Sequence, residues 1–232
     1  MKTLKLLLSS IFLLGLVTLC TNLLANTTYA APAVEGWYFR AISGYPAAIS
    51  FEPVVLFKNG EYFEIADEPL ETLNVAASKS KQPAAWGTWK KSGATFLLTN
   101  SKGKTYDYKL GAGNWFPAYA YTGSLKLKPA YEKASGGNYG NGVNALTIST
   151  ISFTDATHFT WGKNGGISAP NASAWKKSAS AGTYKITGHT ITFTFTDGKV
   201  LKTSFALGAK GSPARPDNGL IFIGGYPYTD TE

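Results

Sequence analysis

The acidic residues of the chain gather once, in EYFEIADEPLE, which supplies Glu61, Glu64, Asp67, Glu68 and Glu71. A pair of carboxylates at the right separation can run glycoside hydrolysis. Acids at alternating positions around a glycine bend can hold calcium. This stretch lacks the bend, and no second acidic cluster accompanies it, so it reads as a solvated loop. Only two histidines are present, His158 and His189, whereas a zinc site wants three or four His, Cys or carboxylate ligands at defined spacing. Both histidines read as surface positions, His189 in a turn between strands. There is no Gly-x-Ser-x-Gly elbow and no phosphate loop ending in Lys-Ser/Thr. The inventory supports no metal, no cofactor and no catalytic residues, and an enzyme working from carboxylates is the weakest of the functional readings.

Aromatic residues are the richer set. Most of the six tryptophans belong in a core. Trp37 sits on the first strand after Gly36. Trp115, Tyr119 and Tyr121 lie in GNWFPAYAYTG, 113–123, and Tyr131 precedes, and Tyr139 lies within, a Gly/Asn-rich stretch, EKASGGNYGNGVN. That stretch reads as an inserted loop, and loops of this kind are where function is added. The candidate ligand-binding residues are therefore Trp37, Trp115, Tyr119, Tyr121 and Tyr139.

The elements that must position them are strands. Thr, Tyr, Phe, Ile and Val crowd the sequence after residue 31, with Gly, Asn, Asp and Ser between them. In HTITFTFTDG, Ile191, Phe193 and Phe195 alternate with threonines, one side dry and one side wet. Tyr184 and Ile186, and Leu125 and Leu127, alternate in the same way. Asn59-Gly60, Lys102-Gly103 and Asp197-Gly198 mark hairpins. Residues 67–78 offer at most one or two helical turns.

Two stretches repeat one another. Gly87, Gly93 and Gly103 stand six and ten apart, as do Gly182, Gly188 and Gly198. Thr88, Trp89, Lys90 and Lys104 match Thr183, Tyr184, Lys185 and Lys199. The expectation is an all-β, internally duplicated antiparallel meander of roughly ten to twelve strands, either barrel-like or as two small barrels or sandwiches, because closure removes exposed edges. The modules would be 31–120 and 121–232. The aromatic linker favours one continuous barrel-like body, since a free tether would be polar.

The Gly36-Trp37 strand followed by hairpins with Gly-Lys or Asp-Gly turns resembles lipocalin-like and other calycin-type barrels. The 182–198 segment is most similar to exported bacterial proteins with a repeated Gly-x-Tyr…Asp-Gly hairpin. The resemblance implies an apolar cavity for a small hydrophobic or amphipathic ligand.

The ends bound the location. MKTLK followed by a long apolar run and Thr28-Tyr-Ala30 reads as a secretory signal over 1–30, cleaved near Ala30, for a secreted or periplasmic protein. A membrane anchor is the rival reading. Lipid attachment at Cys20 is disfavoured because Leu19 precedes it, where such sites want a small residue. Cleavage would remove the lone Cys and Met together with Lys2 and Lys5, leaving the chain basic and without thiols. Two arginines, Arg40 and Arg215, argue against nucleic acid as a partner. The scattered lysines read as solvated strand faces and edge gatekeepers, with a weak attraction to anionic envelope surfaces. The leading expectation is an exported, non-enzymatic β-barrel that binds a small apolar or amphipathic ligand. The alternatives are a glycan-binding module with exposed stacking aromatics, or a surface or assembly protein without a small ligand.

Overall fold

A computed structural model of the chain describes residues 33–43, 49–65 and 67–231. The signal segment, its cleavage site and Cys20 lie outside them. Fifteen strands, all paired antiparallel, form two sheets among the described residues. The first runs through β1 (Val34–Ser43), β2 (Ile49–Phe57), β3 (Glu61–Phe63), β4 (Trp86–Ser92), β5 (Thr95–Asn100), β6 (Thr105–Lys109) and β7 (Trp115–Ala118). Its spatial order is β6-β5-β4-β3-β2-β1-β7. The second is a closed barrel of β8 (Ala130–Asn138), β9 (Asn144–Phe153), β10 (His158–Ala169), β11 (Ala172–Thr187), β12 (Thr190–Phe195), β13 (Val200–Lys210), β14 (Arg215–Ile223) and β15 (Tyr226–Asp230). Each barrel strand pairs with its sequence neighbour, and β15 closes on β8 through Thr229↔Glu132 and Asp230↔Tyr131.

The all-β expectation holds. Fifteen strands replace the ten to twelve expected, because stretches read as linker and loop are paired. EKASGGNYGNGVN is no loop: Lys133↔Ser149 through Asn138↔Asn144 form a ladder, and only the tip turns. Its glycines permit this. A Cβ on Gly136 would lie 2.1 Å from the Ala145 carbonyl oxygen, so only a bare backbone fits there.

The matched glycines occupy matched geometry. Gly87 and Gly182 lie in strands where a Cβ would fall 2.4 Å from the Thr99 oxygen and 2.0 Å from the Thr194 oxygen. Thr99 and Thr194 each lie twelve residues further on. Gly93 and Gly188 then turn the chain at φ of 60° and 57°, and Gly103 and Gly198 at 78° and 83°. Spacings of six and ten are the lengths of the two hairpins these residues build.

The first sheet is apolar on both faces. It curls until its edge strands meet through side chains, the Trp115 ring on β7 stacking on Tyr108 of β6 at 4.9 Å. Val54, Leu56, Tyr62, Phe96 and Leu98 fill the enclosed side. The other face carries Trp37, Phe39, Val55, Phe57 and Phe63, which pack against Ala206 and Phe222 on the outside of the barrel. The sheets thus share one apolar layer without merging their ladders, apart from two bridges, Tyr119↔Leu207 and Tyr121↔Gly188.

The segment after β3 straps the barrel. It contains a 3-10 turn at Leu70–Thr72 and a short helix, α1 (Val75–Lys81), capped by the Asn74 side chain accepting from the Ala77 N–H. Here two sequence expectations need correction. Glu71 is not simply solvated: its carboxylate accepts from the His189 N–H at 2.5 Å and from the Thr190 hydroxyl. His189 is not a surface residue. Its ring is half-buried, edge-on to Trp37 at 4.3 Å, with Nδ1 3.2 Å from the Phe205 carbonyl. The strap covers a turn that would otherwise face water.

Candidate ligand-binding mouth of the barrel

The barrel is solid at one end and open at the other. Ile191, Phe193, Phe205 and Ile221 are completely buried and Phe159 nearly so. Above them lies a cavity of about 340 Å³.

Strand parity decides what lines it. On β8, Tyr131 is buried in the core, so Lys133 and Ser135 point inward with it. Glu132 points out and accepts from the Thr150 hydroxyl at 2.9 Å. On β10, Phe159 is buried, so Trp161 and Lys163 follow it inward. The ladders then place these residues in rows across three strands. Tyr131, Ile151 and Trp161 form the deepest row. Lys133, Ser149 and Lys163 form the next. Ser135, Thr147 and Gly165 form the third, with Lys176 of β11 opposite Gly165. Polarity therefore rises with each step toward solvent.

The far wall comes from Leu201, Thr203, Ile223, Tyr226 and Tyr228, and the strap contributes Asp67. Thr203 donates to the Asp67 carbonyl at 2.8 Å, which ties the strap to the rim. Trp161 Nε1 donates to Ser149 Oγ at 2.8 Å, and Ser149 Oγ lies 3.5 Å from the Tyr228 hydroxyl. Burial pushes the Tyr228 phenol pKa up. The Lys133 ammonium rests 3.8 Å from the Tyr226 ring centroid and 5.5 Å from that of Tyr228. Burial pushes its pKa down, and the charge of Lys163 adds to the effect.

Four strands overshoot the barrel. Residues 172–180 of β11 pair with β10 alone, because β12 joins only at Gly182↔Phe195. The inner face of this extension continues the cavity as a groove of about 640 Å³, past Thr147, Lys163, Ile167 and Lys176. Trp175 and Ile167 are 60% and 56% exposed on the extension.

The five aromatics expected at a site are scattered. Trp37 lies in the layer between the sheets, and Trp115 in the enclosed side of the first sheet, stacked on Tyr38 at 4.7 Å. Tyr119 is half-buried and donates to the Ala214 carbonyl at 2.9 Å. Tyr121 packs edge-on to Phe205. Tyr139, 72% exposed, stands at the tip of the β8–β9 hairpin. No groove unites them. The mouth residues Trp161, Lys133, Lys163 and Ser149 escaped the sequence reading, although one signal was present. Tyr-x-Lys-x-Ser and Phe-x-Trp-x-Lys put lysine on the parity of buried aromatics.

A second charged cluster lies inside the curled first sheet. Arg40, cross-strand from Trp115, donates from Nε to Glu52 and from Nη2 to Glu64, both at 2.7 Å. Glu64, followed by Glu52, holds the Arg40 guanidinium protonated against the cost of its burial, which is the largest influence on it. Its Nε and Nη2 donors are engaged, and it reads as a structural ion-pair network.

Comparison with protein-family models, with curated proteins and with solved structures found no match.

Proposed function

We propose that the protein is a non-enzymatic, exported β-barrel that holds a small amphipathic molecule in the mouth of its second sheet. One observation carries the reading. The cavity changes from aromatic to hydroxyl and ammonium groups within three rows of the same strands, so one ligand can bury an apolar body and keep a polar head wet. The volume of about 340 Å³ lies within the range of small-molecule sites, and the groove beyond it gives room for a longer head or chain. The lipocalin-like and duplicated character read from the sequence belongs to the same proposal. A closed up-and-down barrel with a ligand in its mouth is the arrangement that resemblance implies. The scatter of Trp37, Trp115, Tyr119, Tyr121 and Tyr139 removes support from a glycan-stacking groove built of those residues.

The test uses two fluorescent probes of the same shape, anilinonaphthalenesulfonate and uncharged phenylnaphthylamine. At least one should bind the full chain with a stoichiometry of one and quench tryptophan emission. Thr147→Trp, which fills the cavity from an exposed position, should abolish that binding without changing the circular dichroism spectrum. Failure of both probes to bind, or binding untouched by Thr147→Trp, sinks the proposal.

A further inference from the structure

Two lysines, Lys133 half-buried and Lys163 exposed, are turned toward one mouth. Lys133 and Lys163 are both cross-strand partners of Ser149, one on each side of it. Neighbouring strands lie about 4.8 Å apart, so the two lysine Cα atoms are about 10 Å apart on one face. Their flexible four-carbon stems let both ammonium groups converge above the serine. Neither has a carboxylate partner among the described residues, whereas Lys210 pairs with Asp217 at 2.9 Å. Among the described residues Asp67 is the single carboxylate lining the cavity, set against these two ammonium groups and Lys176 one row further out. Burial lowers the Lys133 pKa, and the charge of Lys163 adds to the effect.

Ser149 adds a directed donor. Its oxygen already accepts from Trp161 Nε1, and its nearest alternative partner, the Tyr228 hydroxyl, is 3.5 Å away. Its own O–H is therefore held only weakly and can turn toward a better acceptor between the lysines.

We infer that the mouth selects an amphipath with an anionic head, a sulfonate, phosphate or carboxylate, gripped by Lys133 and Lys163 over the Ser149 hydroxyl with its body against Trp161 and Tyr228. This rests on the reading of the mouth as a ligand site. The head relieves the repulsion between the lysines, and the third lysine extends the positive field outward, steering anions inward.

The same two probes separate the claims. The sulfonate should bind at least about tenfold more tightly than the uncharged probe, the gain of one charge-assisted hydrogen bond. Lys133→Gln/Lys163→Gln should erase that preference while retaining the weaker binding. Lys90→Gln/Lys102→Gln, which removes two exposed lysines of the other sheet, should leave it intact. Octyl sulfate should displace the sulfonate probe at far lower concentration than inorganic sulfate. Equal binding of both probes overturns the anionic head and leaves the ligand mouth standing. Loss of the preference in the exposed-lysine control, or equal displacement by inorganic sulfate, overturns it as well. Failure of both probes to bind overturns the mouth itself.

Discussion

Trp37 of the first sheet and His189 of the barrel meet edge to face, ring centroids 4.3 Å apart at 65°. The contact joins the bodies at the turn that Glu71 also holds, and it keeps the imidazole out of water. Burial lowers the His189 pKa from 6.5 to about 4, against smaller opposing effects of the Phe205 carbonyl and Glu71. The folded protein therefore resists a proton that the unfolded chain accepts. Stability should be full above pH 6.5 and fall as the pH drops from 6.5 toward 4. At most about 3 kcal/mol is at stake. Urea midpoints measured across that window should slope for the wild type. His189→Asn should be less stable at neutral pH but lose this part of the slope. An equal slope in both proteins would remove His189 as its source.

Glu71 closes the same joint from the strap side. Glu71→Ala strands the His189 N–H and the Thr190 hydroxyl, and should lower stability by about 1–2 kcal/mol. Amide exchange over residues 67–74 should accelerate more than in β12. Unchanged exchange there would show that Thr203 and Asp67 hold the strap alone.

Gly182 sits where a Cβ would lie 2.0 Å from the Thr194 carbonyl oxygen, while one on Gly137 would meet nothing within 4 Å. Gly182→Ala should cost about 3 kcal/mol or more, and Gly137→Ala should stay within about 0.5 kcal/mol. Gly87, 2.4 Å from the Thr99 oxygen by the same measure, should behave as Gly182 does. Thermal melts of the three variants rank them, and a harmless Gly182→Ala would refute the close-approach account.

Arg40→Met leaves Glu52 and Glu64 without their shared cation. The Arg40 side chain is 12% exposed but the glutamates are 39% and 31% exposed, so solvent screens part of the loss. A cost of about 2 kcal/mol is expected, below that of a fully buried pair. Adding Glu52→Gln and Glu64→Gln should recover most of it. A triple variant no more stable than Arg40→Met would mean that the guanidinium matters through its packing instead.

Period-two patterns made the strands legible. Ile191 and Phe193 read as buried and are, and Gly60, Gly103 and Gly198 turn where their dipeptides said they would. The limit of such reading shows at Lys133. Glycine and asparagine after it look like a loop, because local composition cannot register that β9 lies alongside. Once paired, the parity of Tyr131 carries the lysine inward.

From its own order of residues the chain determined strand identity, hairpin positions and the spacing shared by Gly87–Gly103 and Gly182–Gly198, since these depend on neighbours a few residues away. Which strands closed on which, and therefore which residues face one interior, was decided only by tertiary structure. Lys133, Ser149 and Lys163 become a row through ladders between separate strands, and β15 must come back to β8 before that row lines a mouth. Alternation says that a side chain has two faces to choose from. Only the folded sheet says which face is the inside.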